Sequence, residues 1–130
     1  MASLIPTAVK KVIADAYVAE PQWKVALFTT NDCLSRSTYG TCTGETSGTG
    51  YTTGGAVVTG RADSIVSTSV VITATNTAWT GATFSAAYAV VYETAGGLIR
   101  AVYDLGGTKT VTAGTFTLQW DASNGLVKIS

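Results

Sequence analysis

The chain has 130 residues, 46% of them hydrophobic and only 12% charged, about half the usual charged share of ~25%. Eight basic and eight acidic residues cancel, and there is no histidine. This composition excludes a disordered chain and a basic nucleic-acid-binding surface, and it removes the commonest general base and metal ligand. No apolar run approaches the roughly 20 residues of a membrane span, and the N-terminus lacks the basic-then-apolar order of a signal peptide. The expectation is one domain over 1–130, made in the cytoplasm.

Residues Pro6–Ala16 are the one helical stretch. Val9, Val12, Ile13 and Ala16 form an apolar stripe, and Pro6 suits the first turn. So short a helix must dock, and the small face of a strand at Trp79–Glu93, or its sheet, is the expected dock. Trp23–Thr29 alternates as a strand. Thr30–Gly55 loses all periodicity and reads as a long Thr/Ser/Gly-rich loop, a length that is usually functional or mobile. Ala56–Val58 is a short strand, and Val66–Thr75 a better one with Val66, Val70 and Ile72 in phase. Trp79–Glu93 is the longest strand, with Phe84, Tyr88, Val90 and Tyr92 as its large, core-filling face. Gly96–Gly97, Gly106–Gly107, Ala113–Gly114 and Asn124–Gly125 punctuate the remainder into further short strands, the last being LVKIS. The fold class is therefore all-β: an antiparallel β-sandwich or barrel of about seven to eight strands with one short N-terminal helix.

No reactive constellation emerges. The Gly44–Gly55 loop fails the phosphate-loop pattern because it holds no lysine and precedes a strand. Two cysteines without histidine make a poor zinc site, so no metal, cofactor or catalytic residue is assigned. Cys33 and Cys42 are either free thiols or a disulfide. Glu93 and Asp104 could face each other across the Gly96–Gly97 hairpin, where paired carboxylates would suit a small hydrolase. Most aromatics fall in phase with aliphatic neighbours and read as core. Tyr39 and Tyr51, in the long loop, are the contact candidates.

The stretches WKVALFT, SGTGYTTGGAVV, AWTGATFSAAYAVVYE and YDLGGTKTVTAGTFTLQW, in this order, resemble a family of small virion structural proteins of tailed bacteriophages. The resemblance spans nearly the whole chain, and its most specific parts are GTGYTTGG and AWTGATFSAAYAVVYE. It implies a non-enzymatic head or tail component present in many copies, assembled in the host cytoplasm and carried in the virion. The expectation is a capsid decoration, or cement, protein binding the outer surface of the major capsid protein. A homo-oligomer is expected, with other virion proteins as possible partners and no nucleic acid or membrane partner. Its contacts would come from the helix, with Lys10 and Lys11, and from the loop, with Tyr39 and Tyr51. The alternatives are a tail or head–tail junction component and, from another class, a carbohydrate- or receptor-binding module stacking ligands on the loop tyrosines and Trp79.

Overall fold

The computed structural model describes residues 5–120 and 125–129. Among them are one helix and seven strands, all paired antiparallel: α1 (Thr7–Val18), β1 (Trp23–Phe28), β2 (Ala56–Val58), β3 (Ala62–Val66), β4 (Ser69–Thr73), β5 (Thr77–Glu93), β6 (Ile99–Leu118) and β7 (Val127–Ile129). The all-β class with a single N-terminal helix is as the sequence predicts. Strand order is β2-β1-β5-β6 in one sheet and β3-β4-β7 in the other. The chain divides into two compact units. The smaller takes the described residues of Met1–Glu20, Thr59–Thr75 and Trp120–Ser130; the larger takes Pro21–Val58 and Asn76–Gln119. Asn124 of the expected Asn124–Gly125 turn lies outside the described residues, as do Met1–Leu4 and Ser130.

In the larger unit β1 is central and buried on both faces, so Trp23, Val25 and Leu27 and the intervening Ala26 and Phe28 are all core. Ala26, Phe28, Val90 and Tyr92 make one face of this core, joined by Cys33 from the long loop, with Tyr39 and Cys42 packed against them. The loop is thus the cover of that face, which is why its backbone follows no simple period. β5 alternates only in its first half. From Ala86 onward both faces are buried except at Tyr88, which is half-buried and packs against the core from its margin. The predicted breaks at Gly106–Gly107 and Ala113–Gly114 are also corrected. One 20-residue strand, β6, runs through both. The ladder slips register between Ala86 and Tyr88, between Ala82 and Phe84, and between Trp79 and Ala82. Extra residues are absorbed as bulges, which bend a strand without ending it.

In the smaller unit the strand expected over Val66–Thr75 is two strands. A turn at Ser67–Thr68, with Ser67 at φ 59°, folds β3 back on β4. α1 packs on both of these strands. Its N-terminal half lies at the turn, where the Lys10 amine donates to the Thr68 carbonyl at 2.8 Å. At its other end the Arg61 guanidinium donates to the Tyr17 and Glu20 carbonyls at 3.1 and 2.6 Å, satisfying carbonyls that a helix end leaves open. The helix therefore runs antiparallel alongside β3. Its orientation about its own axis is a second correction. The buried positions are Lys10 and Ala14, while Val9, Val12 and Ile13 of the apolar stripe are exposed. Ala14 permits close approach to the sheet, and the lysine stem covers apolar surface while its amine finds an acceptor.

Candidate functional site

The long loop is the most organised non-repetitive part of the chain, and a carboxylate organises it. Glu45 accepts from the Tyr39 hydroxyl on one oxygen. Its other oxygen accepts from the Tyr51 hydroxyl at 2.6 Å and the Gly54 amide at 2.8 Å. Tyr51 extends the network by accepting the Leu27 amide of β1 at 3.0 Å. Tyr92 of β5 donates to the Gly54 carbonyl at 2.6 Å, and its ring stacks on Tyr39 with centroids 4.2 Å apart. Three points of the loop are thereby tied to two strands of the sheet beneath. Charge-assisted hydrogen bonds are the stronger kind, and a carboxylate with donors on both oxygens holds one arrangement.

Three further ties close the loop. Cys33 and Cys42 form a disulfide, with Cα atoms 5.2 Å apart, beneath the two short 3₁₀ turns at Asp32–Ser35 and Tyr39–Thr41. Asp32 accepts the Thr43 amide at 2.9 Å and pairs with Arg36 at 3.3 Å; these donors hold its carboxyl below the usual range, the Thr43 amide most of all. Thr46, buried, donates to the Ser85 carbonyl at 2.8 Å. What remains outward is mostly Thr, Ser and Gly, with Leu34 at 61% exposure.

Tyr39 and Tyr51 therefore direct their hydroxyls inward. Burial, and then the Glu45 carboxylate, pushes both phenols far above the ordinary tyrosine value. Burial also raises Tyr92 and Tyr103. The unfolded chain releases these protons near pH 10 and the folded chain does not, so folding stability falls as pH rises above about 10. An ultraviolet phenolate titration of the folded protein should show these four tyrosines ionising late, together with alkaline unfolding. Six tyrosines titrating together near pH 10 while the fold persists would contradict the clasp.

The other candidates fall as follows. Lys10 is 7% exposed and bonded inward, so it is not a surface contact. Lys11 bridges Asp15 at 2.6 Å and Asp63 at 3.3 Å. Glu93 and Asp104 are not brought together. The β5–β6 register sets Tyr88 opposite Asp104, and Glu93 is buried, accepting from the Gly96 and Leu98 amides. Asp104 accepts from the Gly106 amide. Glu93 holds the β5–β6 turn and Asp104 a local kink within β6, and the paired-carboxylate expectation fails because the tight hairpin sets Glu93 against Leu98 and leaves Asp104 opposite Tyr88, well along the ladder. Trp79 is buried edge-on against Phe84 and Phe116, so it offers no stacking face. Among the described residues no three His, Cys, Asp or Glu side chains cluster as a metal site, and no helix is long and apolar enough to cross a membrane.

Glu45 is not singled out by sequence. Its signal is the placement of a carboxylate between two tyrosines, each six residues away in an otherwise featureless loop. Compared with family models, curated proteins and solved structures, the chain matches none.

Proposed function

We propose that this chain is a non-enzymatic structural protein of a tailed-phage virion, acting as a decoration protein that binds the outer surface of the major capsid protein. The observation that carries the reading is the preorganised loop. A disulfide, a three-donor carboxylate and ties to two strands fix it before any partner arrives. A loop already ordered loses little entropy on docking, which is how a small domain gains affinity for a fixed lattice. Its exposed Thr, Ser and Leu34 carry almost no charge and suit a neutral protein surface. The resemblance of the WKVALFT, SGTGYTTGGAVV and AWTGATFSAAYAVVYE stretches to phage virion proteins supplies the setting.

Controlled dissociation of the particle tests the reading. The protein should leave the shell while the tail stays intact, with hundreds of copies per particle (a rough expectation for a component repeated over a closed shell). Recovery only in purified tails, at a ring's worth of copies, would replace it with the tail or head–tail junction reading.

A further inference from the structure

The Cys33–Cys42 disulfide is bracketed by bonds that do not need it. One residue outward on each side, the Asp32 carboxylate accepts the Thr43 amide at 2.9 Å. The Thr30 hydroxyl donates to the Thr43 carbonyl at 2.8 Å, and the Thr29 amide donates to the Gly44 carbonyl at 2.9 Å. Each cysteine also belongs to its own 3₁₀ turn. The Arg36 amide donates to the Cys33 carbonyl at 3.1 Å, and the Cys42 amide to the Tyr39 carbonyl at 3.0 Å. The two cysteines are therefore brought together by hydrogen bonds as well as by their own sulfurs.

The surroundings of the sulfurs suit thiols too. Cys33 is 2% exposed and lies among Ala26, Phe28, Val90 and Tyr92, where a thiol packs as a small apolar group. Cys42 is half-buried between exposed Thr41 and Thr43, and its Sγ lies 3.5 Å from the Thr38 carbonyl oxygen. A disulfide sulfur has no hydrogen for that oxygen, and a thiol has one. The segment between the cysteines holds the end of the long hairpin. The Tyr39 amide donates to the Gly97 carbonyl at 2.8 Å and the Ile99 amide to the Ser37 carbonyl at 2.9 Å, which ties residues 37–39 across the β5–β6 turn.

We propose that the chain folds with both thiols reduced and that the disulfide then forms in place, with Cys42 as the sulfur that meets the oxidant and Asp32 as the residue that positions the pair. The closed staple tightens the enclosed segment over the β5–β6 turn. The oxidant is a small disulfide of the glutathione class. The Cys42 thiolate attacks one of its sulfurs, breaking that S–S bond and releasing one glutathione. Cys33 then gives its proton to solvent and attacks the Cys42 sulfur, breaking the mixed disulfide and releasing the second glutathione. Two electrons pass to the glutathione disulfide, and the two cysteine protons end on two glutathione thiols. Burial sets the order, because Cys42 is the one of the two open to a reagent in the folded chain. The inference concerns the isolated chain and does not rest on the virion reading.

Thiol chemistry on the full chain tests it. The reduced protein should keep the circular dichroism of the oxidised one. Brief alkylation with iodoacetamide should label Cys42 at least ~10-fold faster than Cys33, whose labelling waits on local opening. With oxidised glutathione, Cys33→Ala should stop as an adduct on Cys42, Cys42→Ala should take up none in the same time, and the wild type should pass through to the intramolecular disulfide. Asp32→Ala should slow that closing step at least ~10-fold, and Asp32→Asn, whose amide oxygen still accepts from Thr43, should restore it. In hydrogen exchange the Tyr39 and Ile99 amides should be at least ~10-fold faster in the reduced protein than in the oxidised one. The Leu27 and Gly54 amides, held by Tyr51 and Glu45, should be unchanged. The proposal is overturned by a reduced chain that is unfolded, by equal labelling of the two cysteines, or by Cys42→Ala taking up glutathione as Cys33→Ala does. Closure indifferent to Asp32, or equal exchange at Tyr39 and Ile99 in the two states, overturns it as well. Alkylation and exchange use the unmodified chain, so neither depends on a variant folding. None of these results bears on where the protein is found in a particle.

Discussion

Replacing Gly55 by alanine is expected to destabilise the protein by at least ~3 kcal/mol, enough to leave a marginal domain largely unfolded. Gly55 sits at φ 82°, where an L side chain is strained by roughly 1–2 kcal/mol. Steric overlap costs more than this strain. A Cβ at this position would overlap the Val25 carbonyl oxygen, with the carbonyl carbon at 2.6 Å and the Ala26 Cα at 2.7 Å. These are backbone atoms of the most buried strand, so nothing nearby can swing aside. The loop must lift, and with it β2, whose Ala56, Val57 and Val58 pair with Val25, Lys24 and Trp23. Gly97→Ala separates strain from overlap. Gly97 has φ 71° but nothing within 4 Å of its would-be Cβ, so only the strain of roughly 1 kcal/mol should be seen. Denaturant titration of the two variants reads the difference. Equal losses would show that the close approach to Val25 contributes nothing.

The contrast between these glycines bears on what the sequence discloses. SGTGYTTGG announces a turn-rich loop, yet only the folded backbone distinguishes Gly55, pressed against β1, from a glycine in open space. β1, β2 and β5 are located to within one or two residues, although β1 and the second half of β5 are buried on both faces and only the first half of β5 alternates. Alternation fails at Ser67, where a left-handed serine makes the turn that Asn-Gly would have advertised and hides a strand boundary inside an apolar run. It also divides β6, since a Gly-Gly pair that ends a strand and one absorbed as a bulge look alike until the partner's register is known. The stripe locates the helix but assigns it the wrong side. Apolar periodicity marks a face suited to burial, but here the sheet takes the face of Lys10 and Ala14 and leaves the stripe exposed. Glu45 is invisible in sequence because its partners, Tyr39, Tyr51 and Gly54, meet it only after the loop has closed over the core.

That closure gives the second large effect. Glu45→Ala should cost about 3 kcal/mol, whereas Glu45→Gln should cost about 1 kcal/mol. Alanine leaves three donors without an acceptor: the Tyr39 and Tyr51 hydroxyls and the Gly54 amide. Each bond to a charged acceptor is worth roughly 1.5–3 kcal/mol, but the site is only part-buried and water replaces some of them, so the sum is not reached. Glutamine keeps one carbonyl oxygen, which serves Tyr51 and Gly54. Its amide then donates to the Tyr39 oxygen, whose hydroxyl hydrogen rotates away. Hydrogen exchange gives the discriminating readout. In Glu45→Ala the Gly54 amide should exchange at least about tenfold faster, and the Leu27 amide, held by the Tyr51 oxygen at 3.0 Å, should accelerate with it. Both should stay protected in Glu45→Gln. The Cys33–Cys42 disulfide keeps the far side of the loop closed in either variant, so the loosening is confined to the half of the loop that Glu45 ties to β1 and β5. If the virion reading holds, the same alanine variant should also bind capsids more weakly than the glutamine one, because it meets at docking the ordering cost that the wild-type loop meets on folding. Equal stability, protection and capsid binding in the two variants would remove the carboxylate from its place at the centre of the loop.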